Sequence, residues 1–226
     1  MNTRKPFTLT ELLVVIAIIA ILAGLLIPAV VIGQQKGRIT QAKADMKTIQ
    51  TSLKGVESTY QQIVKSLNKF GGTATVSEKS FTSGGTTHKY IQLTDDSSTS
   101  DSDSANQAYD YFIVELSDPQ KLASADLNIN KRKIKFLDPQ SKYDPSDSVA
   151  NNIAKKTIWR DPWGNRYVIR INTSFSDVIE NPADTSKGIA GNVAIYSWGP
   201  NGTGDSGKNA ADGTGGGAED DIVSWN

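Results

Sequence analysis

The sequence predicts an α+β chain in which one long N-terminal helix packs on a small antiparallel sheet. Three observations predict it. Residues 12–32, LLVVIAIIAILAGLLIPAVVI, hold no charge and no strongly polar side chain. Beyond Lys36, apolar residues recur at alternating steps of three and four, the mark of a helix with one apolar face. Late in the chain, YVIRIN (167–172), NVAIYSWGPNG (192–202) and DIVSW (221–225) read as short strands and their turns.

The apolar run comes first. Residues 12–32 span roughly 30 Å at about 1.5 Å per residue, the thickness of a hydrocarbon core. Arg4 and Lys5 precede the run and its first acid is Glu11, a balance that keeps the N-terminus on the cytoplasmic side. A cleaved signal peptide has a shorter apolar stretch and small residues at its cut, so this run reads as a membrane anchor. Pro28 has no amide hydrogen, and with Gly24, Gly33 and Gly37 it marks where the helix can bend. Glu11, at the mouth of the run, has two readings from position alone. It is solvated at headgroup depth, or it is buried and needs an opposite charge.

The seam beyond Lys36 falls at Ile39, Ala42, Met46, Ile49, Leu53, Val56, Tyr60, Ile63 and Leu67, a period near 3.5. Gln41, Lys43, Asp45, Lys47 and Lys54 occupy the other faces. Helical from Phe7 to Leu67, the rod would reach about 90 Å. Such a seam suits a coiled coil or a helix packed on its own domain. With one such helix in the chain, packing on its own sheet is expected.

Residues 71–105 are rich in Ser, Thr, Gly and Asp, and within them only KYIQL (89–93) reads as a strand. DDSSTSDSDS (95–104) lacks the glycine and terminal glutamate of an EF-hand and reads as a solvated loop. ANQAYDYFIVELSD (105–118) is expected to form an amphipathic helix with Ser104 as N-cap and Asp118-Pro119 as its stop. KIKFL (133–137) alternates as a strand would, which makes Lys131, Arg132 and Lys133 a solvated strand end. DPQSKYDPSDS (138–148) is a turn-rich connector.

In the last third, Asp161-Pro162-Trp163-Gly164 fits a type I turn: Asp caps it, Pro presets the next φ, and Gly closes it. Trp159, Trp163, Trp198 and Trp225 all fall here and are expected in the core rather than on a sugar-binding surface. From Gly199 to Asp220 the chain is rich in glycine, with Asn201, Asp205, Asp212, Glu219, Asp220 and Asp221 in or beside it. Ordering so many glycines is entropically unfavourable. Two readings stand: an unstructured loop, or one cross-linked by Ca²⁺ through hard oxygen ligands.

Composition excludes several function classes. Lys+Arg and Asp+Glu are equal at 24 each, so no net field points to nucleic acid. There is no cysteine, hence no disulfide and no thiolate metal site. The single histidine, His88, reads as a surface loop residue and leaves little room for a His-based triad or a zinc site. No nucleophile–base pair or phosphate loop stands out, so an enzyme is not expected.

Residues 4–28, RKPFTLTELLVVIAIIAILAGLLIP, resemble the N-terminus of type IV pilins and of type II secretion pseudopilins. The resemblance implies a leader, 1–6, removed by prepilin peptidase between Pro6 and Phe7, with Phe7 then methylated. The family usually has Gly where Pro6 stands. It also implies that Glu11 and Pro28 serve assembly, Glu11 meeting the N-terminal amine of a neighbouring subunit. DPWGNRY, YSWGPNGTGD and AEDDIVSW are similar, in that order, to the C-terminal pattern of the major pseudopilin. That similarity implies a calcium loop with ligands at Asn201, Asp220 and Asp221, joined by Asp205 or Asp212 from the longer loop here. Asn201 stands where the family usually has Asp.

The expected pilin-like organisation is therefore a leader (1–6), a transmembrane half-helix (7–33), an amphipathic half-helix (34–70), a variable α/β region (71–156) and a C-terminal β-region (157–226). The function implied is a structural pseudopilin that polymerises into a periplasmic filament for type II secretion. Its partners would be further copies of itself, prepilin peptidase, minor pseudopilins, the inner-membrane assembly platform and the membrane, with Ca²⁺ as cofactor and no nucleic acid. It would cross the inner membrane once, with its C-terminal domain in the periplasm. A type IV pilin of a surface fibre is the main alternative, and a membrane-anchored sugar-binding module a more distant one.

Overall fold

The structure is a computed structural model, and it describes residues 9–71, 74–94, 100–174, 176–182, 184–202 and 221–225. The chain forms two compact units, Met1–Arg38 and Ile39–Asn226. Helix α1, Leu9–Tyr60, runs unbroken through Pro28. In the first unit its large apolar side chains are all exposed, Leu12, Ile18, Leu22 and Ile32 among them. Among the described residues α1 is the one helix long and apolar enough to cross a membrane.

From Ile39 onward the expected seam appears. Ala42, Met46, Ile49, Leu53 and Val56 are buried, while Lys43, Lys47 and Lys54 stay outside. The helix ends at Tyr60 rather than Leu67. The Gln61 amide bonds the Glu57 carbonyl at 2.7 Å with φ 60 at Gln61, a left-handed cap of the kind glycine usually supplies. No sequence signal marked that stop, because the capping residue is glutamine. Ile63 and Leu67 still reach the core, now from an irregular segment. Asn128 holds that segment, accepting from the Lys65 amide and donating to the Ser66 and Lys69 carbonyls.

The sheet has five strands in the order β1-β2-β3-β6-β7, every neighbouring pair antiparallel. These are β1 Glu78–Ser83, β2 Thr86–Leu93, β3 Val168–Asn172, β6 Val193–Ser197 and β7 Ile222–Val223. A separate hairpin pairs β4, Val178–Asn181, with β5, Asp184–Ala190. The sheet is larger than the small one expected, because β1 joins it, and the β4–β5 hairpin is a further sheet of its own. Gly84 and Gly85, at φ 58 and 79, turn β1 into β2 with Ser83 facing Thr86, a hairpin turn open to glycine because both φ are positive.

Helix α2, Ser104–Ser117, is buried over most of its surface and sits in the main core with α1 and the inner face of the sheet. Its N-cap is Asp103, whose side chain accepts from the Ala105 and Asn106 amides, one residue before the expected Ser104. Asp118 ends it as expected. A short helix α3, Val149–Ala154, follows the turn-rich connector. Strand alternation then sorts the sheet's two faces. Ile91, Ile169, Ile171 and Ile195 join the helices, whereas Phe81, Tyr90 and Ala194 pack with Ile179 of the hairpin.

Three local expectations need correction. KIKFL is not a strand: Asn130 holds 130–134 as a tight loop, accepting from the Ile134 amide and donating to its carbonyl. Lys131, Arg132 and Lys133 accordingly do not end a strand; Lys131 and Arg132 stay exposed, and the ammonium groups of Lys131 and Lys133 bond the Ser124, Leu127 and Leu122 carbonyls. His88 is not in a surface loop. It lies buried in β2, stacked on Phe81, with Nδ1 2.7 Å from Ser176 Oγ.

Candidate functional site

Two places carry the residues that the sequence singled out. The first is the N-terminal part of α1. Glu11 lies in its first turn and is exposed; Pro6 and Phe7 lie outside the described residues. A carboxylate in the first turn suits the positive end of the helix dipole. Pro28 is also exposed, and with no amide hydrogen it leaves the Gly24 carbonyl without its ladder partner. Gly24 has nothing within 4 Å of where a Cβ would stand, so this stretch is open to contact on that side. In water an apolar surface this extensive is unfavourable, and lipid or neighbouring helices would cover it.

The second place is one end of the β6–β7 ladder. The chain leaves β6 through Trp198 into a 3₁₀ turn, Gly199–Asn201, closed by Gly202 at φ 66. Ser197 pairs with Ile222, so Asp221 enters β7 at that same end. Asp221 is fully buried and Asn201 half-buried. Asp205, Asp212 and Asp220 lie outside the described residues. Among the described residues no three His, Cys, Asp or Glu side chains come close enough to hold a metal. Asn201 and Asp221 do supply hard oxygens from adjoining turns, which is the donor chemistry that Ca²⁺ takes.

The turn at Asp161–Gly164 is tied to this end. Asp161 caps it as predicted: its Oδ1 accepts from the Trp163 and Asn165 amides, and the Gly164 amide reaches the Asp161 carbonyl at 3.0 Å. Asp161 Oδ2 also accepts from Ser197 Oγ at 2.6 Å, and Ser197 Oγ accepts from the Gly199 amide. One buried carboxylate thus links two turns far apart in sequence. Burial raises the Asp161 carboxyl above the usual range, and the Ser197 and backbone donors pull against that rise.

Behind it lies a charge cluster that sequence reasoning missed. Asp110 of α2 is fully buried between Arg160 and Arg166, and Arg166 also reaches Asp101. An aspartate inside an amphipathic pattern beside two arginines in a turn region was the available signal. The tryptophans form no common platform. Trp159 and Trp163 pack on the helix side of the sheet, whereas Trp198 and Trp225 pack against Tyr196 and Val223 on the other.

Residues 1–27 match the prokaryotic N-terminal methylation motif. The match covers Pro6, Phe7 and Glu11, and it stops one residue short of Pro28. Joined to a long apolar helix that continues onto an antiparallel sheet, the motif supports a type IV pilin-like subunit anchored by a single membrane pass. No curated protein and no solved structure shows significant similarity to the chain.

Proposed function

We propose that this chain is a pseudopilin, a structural subunit that polymerises into a periplasmic filament driving type II protein secretion. The observation that carries the reading is the N-terminal half of α1, apolar and exposed on all sides, with Glu11 in its first turn and the methylation motif over it. Prepilin peptidase cuts between Pro6 and Phe7 and the new amine is methylated. Glu11 then pairs with the amine of a neighbouring subunit, an ion pair that favours assembly and sets axial register. Pro28 serves the packing of adjacent helices. Minor pseudopilins and the inner-membrane platform are the remaining partners. The chain crosses the inner membrane once, with its N-terminus cytoplasmic.

Calcium belongs to the same reading. Asn201 and Asp221 would hold part of its shell, with Asp205, Asp212 and Asp220 as further ligands. The bound ion would cross-link the turn after β6 to the start of β7.

A type IV pilin of a surface fibre shares the methylation motif. The absence of cysteine favours the pseudopilin, because many pilins close their C-terminal loop with a disulfide. Deleting the gene separates the two. Loss of secreted proteins with surface fibres intact supports the pseudopilin, and loss of fibres with secretion intact overturns it in favour of the pilin. The split of the tryptophans over both faces of the sheet speaks against a sugar-binding module.

A further inference from the structure

Arg160 and Trp198 are 7% and 3% exposed, and each carries a buried donor without a partner, Nη2 of the guanidinium and Nε1 of the indole. Arg160 Nη1 lies 2.9 Å from Asp110 Oδ1 but without the alignment of a hydrogen bond. Asp110 is already engaged by Arg166 through Nε and Nη2. Guanidinium and indole are donors only, so each requires an acceptor, and a buried donor without one is strongly unfavourable.

Both residues line one cavity of ≈ 30 Å³, whose wall also includes Lys156, Asn165, Arg166 and Asp101. In this wall Arg166 is bound to Asp101, Asp110 lies behind both arginines, and Lys156 stays exposed. Asp161, next to Arg160 in sequence, accepts from Ser197 and from its own turn. Lys156, at φ 55, closes the C-terminus of α3: its amide reaches the Ile153 carbonyl and the Thr157 amide the Asn152 carbonyl.

We propose that this cavity binds a small monovalent anion, chloride in size, accepted by Arg160 Nη2 and Trp198 Nε1. The cavity has room for a small anion. The anion satisfies both donors. It joins the segment before the Asp161 turn, which carries Arg160, to the end of β6, which carries Trp198. The proposal uses none of the candidate calcium ligands and does not depend on the pseudopilin reading.

The test is thermal unfolding of the full chain in detergent, in sodium chloride and in sodium gluconate at equal ionic strength. Gluconate is too large for the cavity. Chloride should raise Tm by several degrees with saturation. Trp198→Phe keeps the ring and removes the N–H, and should at least halve that increment; Arg160→Gln should abolish it. Equal Tm in the two salts, or an increment that Trp198→Phe leaves intact, overturns the proposal and assigns the cavity to water. Should Arg160→Gln fail to fold, Trp198→Phe decides alone. Crystals grown in bromide give a second readout: an anomalous peak within hydrogen-bonding distance of both donors supports the site, and its absence overturns it.

Discussion

Leu22 and Leu53 occupy the same helix and carry the same side chain, yet Leu22 is 54% exposed and Leu53 is 0% exposed. Around Leu22 the helix is apolar on every side, and its own chain covers none of it. Around Leu53 it is apolar on one face only, and that face meets α2 and the sheet. The first half is composed for lipid and for other helices; the second is composed for the chain's own core. Substitutions in the two halves should therefore fail in different assays.

Glu11→Ala should have the largest effect. Filament yield, measured by electron microscopy and sedimentation, should fall at least tenfold while membrane insertion and the melting of residues 39–226 stay unchanged. Filaments at normal yield would remove the pairing role. Leu53→Ala should reverse that pattern. Emptying a fully buried leucine site destabilises by about 2–5 kcal/mol in denaturant unfolding, whereas Leu22→Ala should change folding stability by less than about 0.5 kcal/mol. Equal losses at both positions would mean that the first half also packs within its own chain.

The contrast between the halves was legible because it rests on periodicity. Exposure follows from an unbroken apolar run, and burial follows from the three-four alternation at Ala42, Met46, Ile49, Leu53 and Val56. The Asp161 turn and strands β3, β6 and β7 were legible for the same kind of local reason. What escaped depends on partners distant in sequence. β1 is mostly exposed and polar, so its own residues give little strand signal, although Gly84-Gly85 between two β-prone runs is a hairpin signal. The helix stop is set by a left-handed glutamine, which no propensity marks. KIKFL alternates as a strand does, but Asn130 holds it as a loop. At the candidate sites, residue types pointed to Glu11, Asn201 and Asp221; the link from Asp161 to Ser197 and the Asp110 cluster exist only once the chain is folded.

Two smaller effects sharpen the same division. Chelation by EDTA should lower the melting temperature of residues 39–226 by several degrees, since a ligand held at a hundred times its Kd contributes about 2.7 kcal/mol. It should leave the helicity of residues 9–38 untouched. An unchanged melt would remove the calcium proposal. The smallest effect concerns Asp147, whose bonds from Lys155, Asn151 and the Ser148 amide hold its carboxyl down at about 2, against an unperturbed 3.8. Because its folded pKa is the lower one, its contribution is present above the unfolded value and is lost as pH falls through that window. Asp147→Asn should flatten the acid limb of the stability profile slightly between about pH 4 and 2. A steeper limb in the variant would contradict that sign.

The account turns on what happens at residues 6 and 7, where Pro6 replaces the glycine usual before the cut. Intact-mass and N-terminal analysis of the chain purified from membranes tests it most directly. The account predicts a mature chain beginning at N-methylated Phe7. A chain that retains Met1 or the leader through Pro6 would contradict it, because Glu11 would then have no processed amine in a neighbouring subunit to meet.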